Sequence, residues 1–173
     1  MPHLLTVSGS LRTGSSNTAL LTAAALVAPP TVTVSPFDAL AALPAFSPDL
    51  EESGPVPNAV ANWRAALAAA DAVLISSPEY AHGMPGVLKN ALDWVVGSGE
   101  LVGKRVGLLS ASSASRFAHP QLVEVLSVMS ATMVAEATVV LDVPRRGATA
   151  EQLAADPAVA PALAAAVAAL LSA

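Results

Sequence analysis

Residues 71–94 read DAVLISSPEYAHGMPGVLKNALDW, and three kinds of local chemistry follow one another in them. Ala72, Val73, Leu74 and Ile75 form an unbroken apolar run of strand length. Such a run suits a strand buried on both faces. Pro78 and Gly83 then turn the chain. From Met84 onward, Met84, Val87, Leu88, Ala91, Leu92 and Val95 recur at the spacing of a helix with one buried face. Gly97 and Gly99 end that pattern. A buried strand, a tight polar turn and a helix start make one edge of a ligand crevice in an open α/β sheet. The turn carries Glu79, Tyr80 and His82 where a plain connector uses small residues. A purely structural turn, its Tyr packed on the helix, is the competing reading.

The alternation of short β-type runs and longer helical ones continues on either side. Strands are predicted over 3–8, 31–35, 72–76, 105–110 and 138–141, and helices over 17–27, from Asn58, from Met84, over 120–129 and over 150–171. Asn58 is placed to cap its helix, with Val60, Trp63, Ala66 and Leu67 facing inward. Pro157 and Pro161 require the last helix to start late or break. Residues 36–57 hold five prolines and read as a long ordered loop; loops of that length are commonly functional. Five strands separated by helices imply a parallel sheet covered on both faces. Right-handed crossovers leave a Rossmann or a flavodoxin-like order, and five strands favour the flavodoxin-like 2-1-3-4-5. The expectation is one domain over 1–173, a three-layer α/β sandwich. Its ligand would lie at the carboxyl ends of the strands, among loops 9–17, 78–83 and 110–117.

Composition excludes several functions. With no cysteine, thiolate catalysis, disulfides and Cys-based zinc sites are ruled out. A net charge of -5, with only 8 Lys and Arg, leaves no basic stripe for nucleic acid. The chain is 54% hydrophobic, yet its longest uninterrupted apolar run, 162–171, is about half of the ~20 residues that a membrane span needs. No basic segment precedes the apolar residues 4–8, so a signal peptide is not expected. These features predict a cytoplasmic protein that binds neither membrane nor nucleic acid.

The first loop reads SGSLRTGSSNT over 8–18. Hydroxyls and backbone N–H groups converge at a helix N-terminus, which favours an anion. Arg12 adds a guanidinium fork suited to phosphate oxygens. A glycine turn with a Ser or Asn cap explains Gly9 and Gly14 but not Arg12. The dinucleotide fingerprint fails because Leu11 stands at its second glycine. A P-loop matches at Gly9, Gly14 and Ser16, but Ser15 stands where its lysine belongs.

Together, the GSLRxxSxN pattern and the PEY turn resemble the NADPH-dependent FMN reductase family, small flavodoxin-like flavin and quinone reductases. The resemblance covers about 4–143. It implies that Ser10, Arg12, Ser16, Asn17 and Thr18 hold the FMN phosphate. It also implies that Pro78, Glu79, Tyr80, Ala81, His82 and Gly83 line the flavin ring edge. His82 alone would more ordinarily be a solvated turn residue, and Glu79 a brace of the turn or a contact to a second subunit. Trp94 suits core packing or a subunit contact equally, and Lys89 and Asp93, helical neighbours, read as surface or interface residues. The family's third loop is glycine-rich after strand four. Here it is SASSASR, 110–116, with every expected glycine replaced. Ser110, Ser112 and Arg116 are the candidates to meet FMN there, at the cost of positive-φ conformations. That departure predicts weaker FMN binding, which glycines at 112 and 115 would restore. The implied activity is NAD(P)H oxidation through FMN, with a quinone, free flavin or similar small acceptor, in a homodimer or homotetramer. An FMN electron carrier and a degenerate binding module without FMN are the alternatives. No 2′-phosphate site is identifiable, so NADPH and NADH stay undistinguished.

Overall fold

The computed structural model describes residues 1–143 and 147–172. The strands are β1 (His3–Ser8), β2 (Thr33–Phe37), β3 (Ala72–Ser76), β4 (Arg105–Ser110), β5 (Thr132–Met133) and β6 (Val139–Val140). The helices are α1 (Ser16–Val27), α2 (Pro48–Glu52), α3 (Asn58–Ala69), α4 (Gly86–Asp93), α5 (Ala118–Val128), α6 (Ala150–Ala155) and α7 (Val159–Leu171). All strand pairs are parallel, in the order β2-β1-β3-β4-β5, with β6 also on β4. This is the expected flavodoxin-like order.

Alternation along the strands builds two cores. Leu5, Val7, Val73, Ile75, Val106 and Leu108 meet Val60, Trp63 and Leu67 of α3, Leu88 and Leu92 of α4, and Leu122 and Leu126 of α5. Leu4, Ala72, Leu74 and Leu109 meet Leu20, Leu21 and Ala24 of α1 and Leu163, Val167 and Leu170 of α7 on the other face. No helix among the described residues is long and apolar enough to cross a membrane.

The differences from expectation have local causes. β2 runs two residues later than predicted and contains Pro36. An edge strand tolerates a residue without an N–H. Asn58 does not cap α3: the Pro57 carbonyl accepts the Val60 and Ala61 N–H groups at 2.8 and 3.0 Å, so the helix begins from Pro57. The predicted strand 138–141 is only Val139–Val140, and the fifth position is shared with β5. Between them a 3-10 turn, Ala135–Ala137, lifts the chain off the sheet. The last helix breaks as its prolines require. Asp156 Oδ1 accepts the Ala158 and Val159 N–H groups at 2.8 and 3.1 Å to start α7.

The proline-rich segment is ordered by α4. Asn90 accepts the Phe46 N–H at 2.8 Å and donates to the Pro44 carbonyl at 2.9 Å, and Trp94 Nε1 donates to that carbonyl at 2.8 Å. Trp94 is fully buried, so it is a core residue.

Gly107 explains the split fifth strand. A Cβ there would lie 2.7 Å from the Ala137 carbonyl oxygen and 2.8 Å from its Cβ. The turn can sit on β4 only because position 107 has no side chain. Gly107→Ala is expected to lower stability by about 1–3 kcal/mol, the range for overpacking. Urea unfolding measures it; an unchanged midpoint would mean that the 135–137 turn is not pressed against β4.

Candidate functional site

The carboxyl ends of β1, β3 and β4 open into a cavity of about 320 Å³, lined by Ser10, Arg12, Ser15, Ser16, Asn17, Ser77, Pro78, Glu79 and Tyr80, with Ala111, Ser112, Ala114 and Ser115 opposite. That volume lies at the small end of the range for ligand sites. All three loops singled out from the sequence contribute.

Gly9 sets how closely the first loop approaches β3. Its N–H donates to the Ser76 carbonyl at 2.8 Å, and a Cβ on it would fall 2.7 Å from Ser77 Oγ. The turn then passes through Gly14 at φ +69° into α1. The Ser15 side chain at the N-cap makes no capping hydrogen bond to α1, and the cavity opens against the helix's first turn. That is the geometry of an anion site. The Arg12 side chain is exposed and forms no ion pair among the described residues. Asn17 is buried, its Oδ1 2.9 Å from Ser76 Oγ, which also lies 2.9 Å from the Leu109 carbonyl. This contact joins α1, β3 and β4 beneath the cavity.

The second loop is a tight hairpin turn. Tyr80 and Gly83 exchange N–H···O bonds of 2.9 and 3.0 Å, and the central residues Ala81 and His82 have φ of +48° and +60°. Two positive φ values mark the type I′ form, which favours Asn and Gly over Ala. The His82 ring lies 4.2 Å from Phe117, at the start of α5.

The third loop follows a path with no positive φ between 110 and 117. The glycine substitutions therefore carry no backbone strain. Ser112 Oγ accepts the Ala114 N–H at 3.2 Å, and the Ser112 carbonyl accepts the Ser115 N–H at 3.3 Å. Two carboxylates hold the loop from either side. Asp142 Oδ1 accepts the Ser113 N–H at 2.6 Å. Glu79 Oε2 accepts the Phe117 and Ala118 N–H groups at 2.6 and 2.8 Å and the Ser115 hydroxyl at 3.3 Å. Glu79 thus caps α5 from across the cavity, which is why that helix starts earlier than predicted. In return Gln121 Oε1 accepts the Met84 N–H at 2.8 Å. Hydrogen bonds from Ala118 and Phe117 hold the Glu79 carboxyl below its ordinary range, and Ser113 does the same for Asp142.

A family model for NADPH-dependent FMN reductases matches residues 2–144. The chain belongs to the NADPH-dependent FMN reductase family. It is similar to an NAD(P)H-dependent FMN reductase of Pseudomonas aeruginosa, 41% identical over 66% of this chain and 61% of that one. It is also similar to a quinone reductase of Escherichia coli, 34% identical over 54% of this chain and 50% of the relative. The chain thus spans between half and about six-tenths of those relatives' length. Its structure superposes on the flavoenzyme NAD(P)H:(acceptor) oxidoreductase of Paracoccus denitrificans with a TM-score of 0.65 at 25% identity, over 96% of this chain and 87% of that one. An oxidoreductase of Corynebacterium diphtheriae shares the fold, with a TM-score of 0.67 at 20% identity over 98% and 94% of the two chains.

In this FMN reductase family member, Ser10, Arg12, Ser16, Asn17, Pro78, Glu79, Tyr80 and Ser112 are brought to one cavity. Thr18, Ala81, His82, Gly83, Ser110 and Arg116 are not among its lining residues. Thr18 lies on the other side of the first loop, its Oγ1 2.9 Å from Ser8 Oγ. Ser110 is buried, 3.5 Å from His119 Nδ1, and burial lowers the His119 pKa. Arg116 is exposed. Sequence reasoning missed Ser15, Ser77 and Asp142. The Ser113–Asp142 contact spans 29 positions, and no local pattern announces it.

Ala81→Asn is expected to stabilise the protein by about 0.5–1 kcal/mol, because Asn tolerates the left-handed conformation better than Ala. Chemical denaturation measures this, and a neutral or negative result would mean that the turn is unstrained. The pKa of Glu79 is lowered on folding, so its contribution is complete above the ordinary glutamate value of 4.5 and fades as pH falls through the lower folded value. Glu79→Gln should therefore be less stable than the parent at pH 7, with the difference vanishing in acid. A pH-independent difference would detach Glu79 from the α5 N-terminus.

Proposed function

We propose that this chain, a single domain over 1–173, is an FMN-dependent NAD(P)H oxidoreductase that reduces quinones, free flavin or similar small acceptors. The observation that carries this reading is the composition of the cavity end to end. One end offers hydroxyls, the start of α1, where Ser15 makes no capping bond, and the Arg12 guanidinium, which has no ion pair among the described residues, a donor set for a phosphate. The other end offers Pro78, Tyr80, Ala111 and Ala114, flat or small surfaces suited to a planar heterocycle. Bound FMN would supply the redox chemistry, taking a hydride from a nicotinamide and passing electrons to the acceptor. The protein's part is to bind, to orient and to exclude water. Ser10, Arg12, Ser16 and Asn17 hold the phosphate end, while residues 78–80 and 111–115 form the walls around the ring, kept in place by Glu79.

An electron-carrier role is less well supported, because Tyr80 is the sole aromatic among the described residues lining the cavity, too little to shield a flavin. A degenerate module loses its main support as well, since the glycine-free loop is unstrained. The same reading places the protein in the cytoplasm as a homodimer or homotetramer. Exposed Tyr80 and Phe117 on the second and third loops support a subunit contact near the cofactor.

Purified protein mixed with FMN should become yellow and oxidise NADH or NADPH in the presence of a quinone. Protein that retains FMN but oxidises neither nucleotide would favour the carrier. Arg12→Ala should weaken FMN binding by roughly 10- to 150-fold, the equivalent of losing a charge-assisted hydrogen bond worth about 1.5–3 kcal/mol. Riboflavin, which lacks the phosphate, should bind both proteins alike. Equal FMN dissociation constants for the two would remove Arg12 from the site.

A further inference from the structure

A second cavity, of about 390 Å³, lies on the far side of the first loop, over the carboxyl ends of β1 and β2. It is at least as large as the first and shares Ser10 and Arg12 with it. Its floor and sides carry the hydroxyls of Thr6, Ser8, Thr13, Thr18 and Thr22, and its β2 edge carries Asp38. Asp38 immediately follows β2, is exposed, and has no ion pair among the described residues. Nothing in the cofactor reading uses this space.

We propose that this cavity takes the adenosine-ribose half of the nicotinamide donor, with Asp38 on the ribose diol, and that Asp38 thereby selects NADH over NADPH. The proposal rests on the oxidoreductase reading above. Four considerations carry it. A carboxylate is purely an acceptor, and two adjacent ribose hydroxyls are the donors that suit its two oxygens. In Rossmann dinucleotide-binding folds an acidic residue past the second strand meets the ribose in this way, and Asp38 stands at the corresponding place after β2 even though the first loop here is not of the Rossmann type. The shared wall of Ser10 and Arg12 makes the two cavities neighbours, so a dinucleotide with its adenosine end in the second can extend over that wall toward the flavin in the first. Finally, Arg12 is the sole cation among the described residues that line the second cavity. A cofactor phosphate in the first cavity would compensate that charge, leaving the field on the second to Asp38. A 2′-phosphate would then meet an uncompensated carboxylate.

The test uses ADP-ribose and 2′-phospho-ADP-ribose as probes, titrated calorimetrically into the protein saturated with FMN. ADP-ribose should bind about tenfold or more tightly than its phosphorylated counterpart, as like-charge repulsion requires. Asp38→Asn should bring the two probes to within about threefold of each other, chiefly by improving the phosphorylated one. Glu124→Gln, which removes an exposed acid on α5 outside both cavities, should leave the ratio unchanged. Equal binding of the probes to the parent protein, no binding of either, or a ratio unmoved by Asp38→Asn would each overturn the proposal. Nucleotide oxidation is measured alongside. An Asp38-dependent probe ratio without oxidation of NADH or NADPH would sink the oxidoreductase reading and leave the ribose site standing.

Discussion

The Glu79 carboxylate, receiving the Phe117 and Ala118 amides at 2.6 and 2.8 Å, is the contact on which the cavity's shape depends. A parallel sheet delivers its loops to one edge but does not fasten them to each other. Loop 78–83 leaves β3 and loop 110–117 leaves β4, and each has a backbone that water could solvate equally well. A single acidic side chain from the first satisfies the otherwise unpaired amides at the start of α5. Because the same helix returns Gln121 to the Met84 N–H, the two walls are fixed by contacts at both ends of the turn. The arrangement lets a half-buried carboxylate define a binding surface without entering the core.

The clamp also changes what the missing glycines mean. Glycine in a binding loop gives access to positive φ and leaves the unfolded chain more freedom to lose. This chain takes a different route. Its third loop stays in ordinary backbone conformations, and its serines bond within the loop while Asp142 and Glu79 hold it from outside. The expectation that glycine at 112 and 115 would tighten binding assumed a strained path. With the strain absent, those substitutions would remove organising contacts, so Ser112 and Ser115 belong to the wall as built. Strain sits instead at Ala81 and His82, in a turn whose sequence, EYAHG, lacks the residues that such a turn prefers.

Much of the fold was legible because its determinants are local. The apolar run 72–76 and the helical period after Met84 are each decided by residues a few positions apart, and β3 and α4 follow them closely. The convergence of Ser10, Arg12, Ser16 and Asn17 with Pro78–Tyr80 was legible too, since parallel topology puts all strand ends on one side. What stayed hidden depends on long-range contacts. The broken fifth strand requires Ala137 to meet Gly107. The early start of α5 requires an acid 39 positions away. A periodicity argument sees the apolar residues of a strand but not a neighbour that interrupts its pairing.

Arg12 stands between two cavities of comparable size, and this position gives one side chain two electrostatic duties. The field of an exposed guanidinium is screened beyond about 10 Å at moderate ionic strength, but across a shared loop wall it reaches both spaces. An anion on one side therefore alters the potential on the other. The described residues lining the two cavities supply two acids, Glu79 and Asp38, and no second cation. Glu79 is turned toward the α5 amides, which leaves Asp38 and Arg12 as the charges that a ligand can meet. On the proposed reading, a phosphate in the first cavity would make the second more selective against further negative charge. The order of occupancy and the choice of ligand would then be coupled through one residue of the first loop, with no conformational change required.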